Sequence, residues 1–304
     1  YDLQNADAQV TIGKSAVLNA EVSLRDAVAQ ERAGVGTQFA VLQARVQLAN
    51  AKQQLVNAER DQKVAQRNLV ALLNLGENVN VTASDPVSVA GRWESSLNDS
   101  ILLSFNQRTE LQTQLSQRRF AEAQKQQALS AIRPTIGLFA QVDFLRYLED
   151  PGNFKEQGFG QGDQVGIQFS VTLFDGGAAL AGARQADANV AIADLGFSNQ
   201  RDQIRFQVET AFADLISNQA NISTASLALE QANESLRLAR LRFQAGVGTQ
   251  TDVIQQENAL TQAQGNLVDA VLGYNRALAS LQRAVGNPPF QVLTSGTQAG
   301  TVTP

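Results

Sequence analysis

The sequence predicts a mainly α-helical protein of long antiparallel coiled-coil hairpins in two tandem repeats, with one β-hairpin of bilayer-spanning length between them. Three observations predict it. A six-residue string occurs twice, Ala33-Gly34-Val35-Gly36-Thr37-Gln38 and Ala245-Gly246-Val247-Gly248-Thr249-Gln250, with matching flanks. Apolar residues around each copy recur every seven residues. Between the copies the period drops to two over two runs of about ten residues.

The repeat sets the frame for everything else. An offset of 212 residues pairs Asp2 with Asp214, Leu24 with Leu236, Arg25 with Arg237, Val41 with Val253, Leu48 with Leu260 and Leu69 with Leu281. Glycines fall at the middle of each copy, between long Ala/Gln/Leu-rich segments. Glycine tolerates positive φ and ends helices, so each copy reads as helix, tight turn, helix. Ahead of the second turn Val208, Leu215, Ile222, Leu229, Leu236 and Phe243 keep a seven-residue period, with Asn218, Ala225, Ala232 and Ala239 interleaved. Leu3, Val10, Val17 and Leu24, with Ala6, Gly13, Ala20 and Ala27, repeat the scheme in the first copy. A strict heptad implies a left-handed supercoil. The alternation of large and small residues implies close helix approach.

In chain order, residues 1–76 form the first-repeat hairpin, its returning helix stopped by Gly76. Residues 77–108 are a loop around Pro86 with a short helix near 96–105. A helix follows over 109–133, with Thr109 as its expected cap, and ends before Pro134. Residues 134–175 hold the β-hairpin. Ile136, Leu138, Ala140, Val142 and Phe144 alternate in the first run, and Val165, Ile167, Phe169, Val171 and Leu173 in the second, around a Gly/Asp/Gln-rich loop over 148–163. A soluble hairpin with one face on a core would show the same alternation. Leu173-Phe174-Asp175-Gly176-Gly177 then turns strand into helix, with Asp175 as the expected cap. Residues 176–286 are the second-repeat hairpin. Its first helix, about 68 residues, would be roughly 100 Å long. Residues 287–304 read as a flexible tail.

Composition excludes several classes. Net charge is −5 and the pI near 4.9, which argues against nucleic acid as a partner. The chain has no Cys and no His, which removes the commonest metal ligands and nucleophile–base pairs. No cofactor, metal or enzymatic activity is expected. Charged residues are only 17% of the chain, so the helices are expected to pack against other helices on more than one side. No apolar run of about 20 residues predicts a transmembrane helix.

The hairpin strings, the Leu173–Gly177 join, Asp252-Val253 three residues past Thr249, and the tandem repeat together resemble the TolC family of outer-membrane efflux and secretion channels, from Tyr1 to about Pro289. The resemblance implies a homotrimer whose strands build one β-barrel in outer-membrane lipid, continued by an α-helical tunnel in the periplasm. It implies passive export, with an inner-membrane pump and a periplasmic adaptor delivering substrate to the tunnel mouth. In one respect the chain departs from the pattern. The offset aligns Tyr1 with Ala213, so both strands of the second repeat lack counterparts in the first. A signal peptide, a helix and two more strands are therefore expected upstream in the gene.

By the same resemblance, the adaptor-docking tip comprises Gly34, Val35, Gly36 and Thr37, and Gly246, Val247, Gly248 and Thr249. The glycines serve equally as plain turn residues; Val35 and Val247 are apolar at an exposed turn. Asp252 matches the position whose carboxylate points into the closed aperture, where three copies would form a negative ring. It is equally a first-turn carboxylate favoured by the helix dipole. Its mate in the first repeat is Ala40. Gln255 replaces a second aspartate found in some members, and Phe243 a tyrosine that latches the aperture. Two other classes stand beside the channel. A structural coiled-coil protein leaves the two strands unexplained, and a periplasmic adaptor would carry a single hairpin.

Overall fold

A computed structural model describes residues 1–76, 79–146, 159–286 and 293–294. The order is α1 (Asp2–Arg32), α2 (Gln38–Leu72), β1 (Arg92–Trp93), α3 (Leu97–Gln107), α4 (Thr109–Ser130), β2 (Thr135–Arg146), β3 (Phe159–Ser170), α5 (Ala178–Gln244), α6 (Gln250–Val285) and β4 (Leu293–Thr294). Two compact units emerge: residues 1–107 with the chain from Ile204 onward, and residues 108–203.

In the first unit the heptad seams face inward. Ala27, Val41, Ala44, Leu236, Phe243, Val253 and Leu260 form one core, nearer the turns. Val208, Leu215, Leu278, Leu281 and Val285 form a second core with Trp93 and Tyr274. The small seam residues do what their size permits. A Cβ on Gly273 would lie 2.7 Å from Asn218 Oδ1, and one on Gly13 3.2 Å from Leu55 Cδ1. Backbones pack this closely only where a side chain is missing.

The segment between α2 and α3 is tied to α6 by hydrogen bonds that satisfy buried polar groups. The Ala90 N–H donates to Asn275 Oδ1 (2.9 Å), Asn275 Nδ2 donates to the Ser88 carbonyl (2.8 Å), and the Tyr274 hydroxyl donates to the Gly91 carbonyl (2.9 Å). Trp93 Nε1 donates to Ser100 Oγ of α3. Of the expected tail, Leu293–Thr294 pairs antiparallel with β1; residues 287–292 and 295–304 lie outside the described residues.

In the second unit α4 packs on the first part of α5. A Cβ on Gly182 would meet Ala128 at 3.5 Å, and ion pairs Arg118–Asp194 and Lys125–Asp187 (both 2.6 Å) join the same helices. Thr109 is not the cap of α4; it is the first helical residue, and Arg108 holds the cap position, its guanidinium paired with Glu110 (2.7 Å) rather than its side chain capping the helix. Only Arg108 leaves helical geometry after α3, so the new helix starts one residue earlier than a threonine cap would allow.

β2 and β3 pair antiparallel from Thr135↔Ser170 to Arg146↔Phe159. The second strand thus lies earlier than its alternation predicts, taking in Phe159–Gln164 and omitting Val171–Leu173. The ladder decides this. In this register Val171 would face Pro134, which has no N–H to donate, whereas the glycine-rich start of β3 is carried by pairing along the full length of β2.

Opposite residues share a sheet face. Ile136, Leu138, Val142 and Phe144 therefore lie with Val165, Ile167 and Phe169 on one face, and all seven are exposed. The other face carries Gly, Gln, Ser, Thr and Asp, with Phe139 laid over Gly166, where a Cβ would sit 2.7 Å from its ring. Among the described residues no helix is long and apolar enough to cross a membrane.

Candidate functional site

The two hairpin turns are built alike, as their identical strings require. Gly34 and Gly246 both have φ of +72°, the left-handed region that glycine enters without strain. Gly36 N–H and Val35 N–H donate to the Gln30 carbonyl, and Gly248 N–H and Val247 N–H to that of Arg242. The second glycine of each turn presses on the outgoing helix. A Cβ on Gly36 would lie 2.9 Å from Gln30 C, and one on Gly248 3.0 Å from Phe243 N. Val35 and Val247 cap the turns at 75% and 68% exposure, so the apolar tips foreseen from the sequence are solvent-facing.

The turns differ in how the returning helix is capped. Thr37 Oγ1 accepts from Ala40 N–H (3.2 Å) and Thr249 Oγ1 from Asp252 N–H (3.2 Å). Only the second is reciprocated, because Asp252 Oδ2 accepts from Thr249 N–H (3.0 Å) while Ala40 has no carboxylate. The result is a complete capping box. Thr249, through its backbone N–H first and then its side chain, holds the Asp252 carboxyl below the ordinary carboxylate value. Asp252 is exposed and ionised at neutral pH.

A depressed folded-state pKa contributes stability above the unfolded value, near 3.9, and that stability is lost as pH falls through the folded value. Asp252→Ala is therefore expected to lower the melting temperature at pH 7 and to converge with the parent protein in acid. A difference that does not change with pH would refute the carboxylate's part in the cap.

Gln255, beyond Asp252 on α6, is exposed as well. Phe243 is not. It is 6% exposed, packed with Ala27, Val41 and Val253. Its seam position explains this: the residue that ends a heptad run is drawn into the core. In this chain Phe243 packs the two hairpins together.

A buried polar cluster lies behind the second tip, and nothing in the sequence reading singled it out. Arg240 Nη2 donates to Glu257 Oε1 (3.1 Å) and to Asn19 Oδ1 (3.0 Å), joining α5, α6 and α1. Gln250 Nε2 donates to Ser23 Oγ (2.8 Å), both residues buried. Glu257 is 4% exposed. Burial pushes its carboxyl up, and the Arg240 hydrogen bond and charge oppose that rise. Glu257 lies four residues after Val253 and three before Leu260, so a charge on the seam face was the available signal. Among the described residues no group of acidic side chains could hold a metal ion.

Comparison with known proteins agrees with this architecture. A sequence profile described as "Outer membrane efflux protein" matches residues 102–287. The alkaline protease secretion protein AprF of Pseudomonas aeruginosa is 26% identical over 263 residues, covering 83% of this chain and 52% of that protein. The outer membrane efflux protein BepC of Brucella suis biovar 1 is 32% identical over 132 residues, covering 41% of this chain and 27% of BepC. The chain thus spans about half of AprF and a smaller part of BepC. The crystal structure of the outer membrane protein VceC from Vibrio cholerae superposes with a TM-score of 0.71 at 19% identity, over 93% of this chain and 67% of that one.

Proposed function

Because the chain belongs to the outer membrane efflux protein family, we propose that it forms part of a passive exit duct across the outer membrane, serving a tripartite efflux pump or a type I secretion system. The observation that carries this reading is the β-hairpin. Seven large apolar side chains stand exposed on one face, which turns polar only at its far end, at Asp163 and Gln161, while the other face, Phe139 apart, is mainly polar or glycine. A face of that kind is costly in water and favourable against lipid. A two-stranded hairpin leaves unpaired edges that a bilayer does not tolerate, so further strands must close the sheet into a barrel, which in this reading is shared by three chains. The alternative of a structural coiled-coil protein leaves the apolar strand face without a purpose.

In this reading the helical hairpins line a tunnel in the periplasm. The tips at Gly34–Thr37 and Gly246–Thr249, each crowned by an exposed valine, meet a periplasmic adaptor that links the duct to an inner-membrane pump. Asp252, exposed and ionised, would contribute three carboxylates around the tunnel mouth, with Gln255 one turn further on. AprF is named for protease secretion and BepC for efflux, so both export modes belong to the proposal.

The test uses the full-length protein in detergent and planar bilayers. It should be trimeric by light scattering and conduct ions. Divalent or trivalent cations should block it, and Asp252→Ala should weaken that block. A monomer that does not conduct would overturn the channel reading. Conduction with block unchanged in Asp252→Ala would remove only the carboxylate ring.

A further inference from the structure

The apolar surface of the β-hairpin and the ladder that carries it do not share a centre. The ladder runs from Thr135↔Ser170 to Arg146↔Phe159, so its middle falls near Val165. On the apolar face, the end away from the helices turns polar along β3. Asp163 stands opposite Val142 and Gln161 opposite Phe144, and both polar residues are exposed. Gln161 Nε2 donates to Asp163 Oδ1 (3.2 Å), and a neutral amide leaves the carboxylate its charge.

At the helical end the apolar surface outruns the ladder. Past Ser170, Val171 is exposed, and Leu173 and Phe174 are 92% and 87% exposed. Ahead of β2, Ile132 and Pro134 are exposed as well. Asp175 closes the stretch, its carboxylate accepting from the N–H groups of Gly177 and Ala179 at the start of α5.

Lengths separate two placements of a bilayer on this surface. A strand rises about 3.3 Å per residue, and a barrel strand tilted by about 40° carries an apolar band about 25 Å tall. That band takes in roughly ten residues of a strand. Centred on the ladder, it would put Asp163 among acyl chains and leave Leu173 and Phe174 in water. Measured from Asp163 toward the helices, it ends at Leu173. The second placement keeps the carboxylate hydrated and covers the exposed leucine, so both ends favour it.

We propose that Asp163 marks the outer edge of the hydrocarbon, so that the bilayer sits on the helical side of the ladder's centre. The strand ends at 143–146 and 159–163 then stand among the head groups of the outer leaflet, with Asp163 and Gln161 facing them. Val171, Leu173 and Phe174 meet the opposite leaflet at its edge, where head-group water still reaches backbone that has left the ladder. The midplane falls between Ile167 and Phe169. This placement rests on the outer-membrane duct described above and adds the depth of each residue.

Single labels measure that depth. The chain has no cysteine, so Gln161→Cys, Val165→Cys, Ile167→Cys, Phe169→Cys and Leu173→Cys can each carry one bimane in an otherwise cysteine-free full-length protein. The vesicles contain a phosphatidylcholine with a nitroxide at the acyl-chain end, which quenches bimane near the midplane in either orientation of the protein. Quenching should peak at Ile167 and Phe169, several-fold above Gln161, with Leu173 between the two levels. A label at Gln168→Cys, on the other face, should stay unquenched. A peak at Val165, with Gln161 quenched as strongly as Phe169 and Leu173 unquenched, overturns the placement and leaves the duct standing. Labels unquenched at all five apolar-face positions overturn both.

Discussion

Arg240→Ala is expected to destabilise the helical unit by about 3 kcal/mol, the usual cost of stripping one partner from a buried ion pair. Arg240 is the link between Glu257 on α6 and Asn19 on α1. Without it Glu257, already 4% exposed, keeps a charge that neither water nor a counter-ion can stabilise. Its carboxyl pKa, raised by burial and held back by Arg240, should rise further. The sign follows from that. A group whose folded pKa lies above its unfolded value destabilises the fold as pH rises from the unfolded value, near 4.3, through the folded one. The deficit should therefore be full at high pH and shrink in acid, where Glu257 takes up a proton. Arg240→Ala/Glu257→Gln should recover much of the loss, because a neutral amide needs no counter-ion. Guanidinium unfolding of the detergent-solubilised protein, followed by helical circular dichroism across pH, measures all three variants. If the double variant is as unstable as the single one, the cost comes from lost packing of the arginine stem and not from the stranded carboxylate.

Ile167→Arg is expected to cost about 2–4 kcal/mol of membrane-inserted stability, the cost of a cation on the lipid face of a barrel near the midplane. Ile167 stands opposite Leu138 on the apolar face and is 76% exposed. Gln168, the next residue, points to the other face opposite Gly137, and an arginine there can remain in water. Gln168→Arg should accordingly insert and assemble nearly as the parent does. Urea unfolding from lipid vesicles, together with the amount of folded protein in the outer-membrane fraction, distinguishes the two. Equal behaviour of Ile167→Arg and Gln168→Arg would mean that the two faces see the same solvent, which the duct does not allow.

Much of this architecture was legible before any coordinates. The duplicated string located both turns, because two glycines between long heptad segments leave few other ways to fold. The period of seven marked the faces that Val208, Leu236, Val253 and Leu260 bury, and the period of two marked the strands. Periodicity is a local property, set by how backbone geometry orders side chains around an axis, so one sequence suffices to read it.

What the sequence could not decide was whatever depends on a partner far along the chain. β3 runs from Phe159 to Ser170 because β2 and Pro134 set where pairing begins and ends, not because its own alternation does. Thr109 reads as a cap by type, but the approach from α3 leaves Arg108 at that position. Phe243 matches an aperture residue by motif, yet its seam position draws it into the core against Ala27 and Val41. Arg240, Glu257 and Asn19 lie on three different helices, and their spacing in sequence does not foretell that they meet. Only the tertiary packing does so, because the depth at which α1, α5 and α6 interlock determines which polar side chains lose water and must find one another.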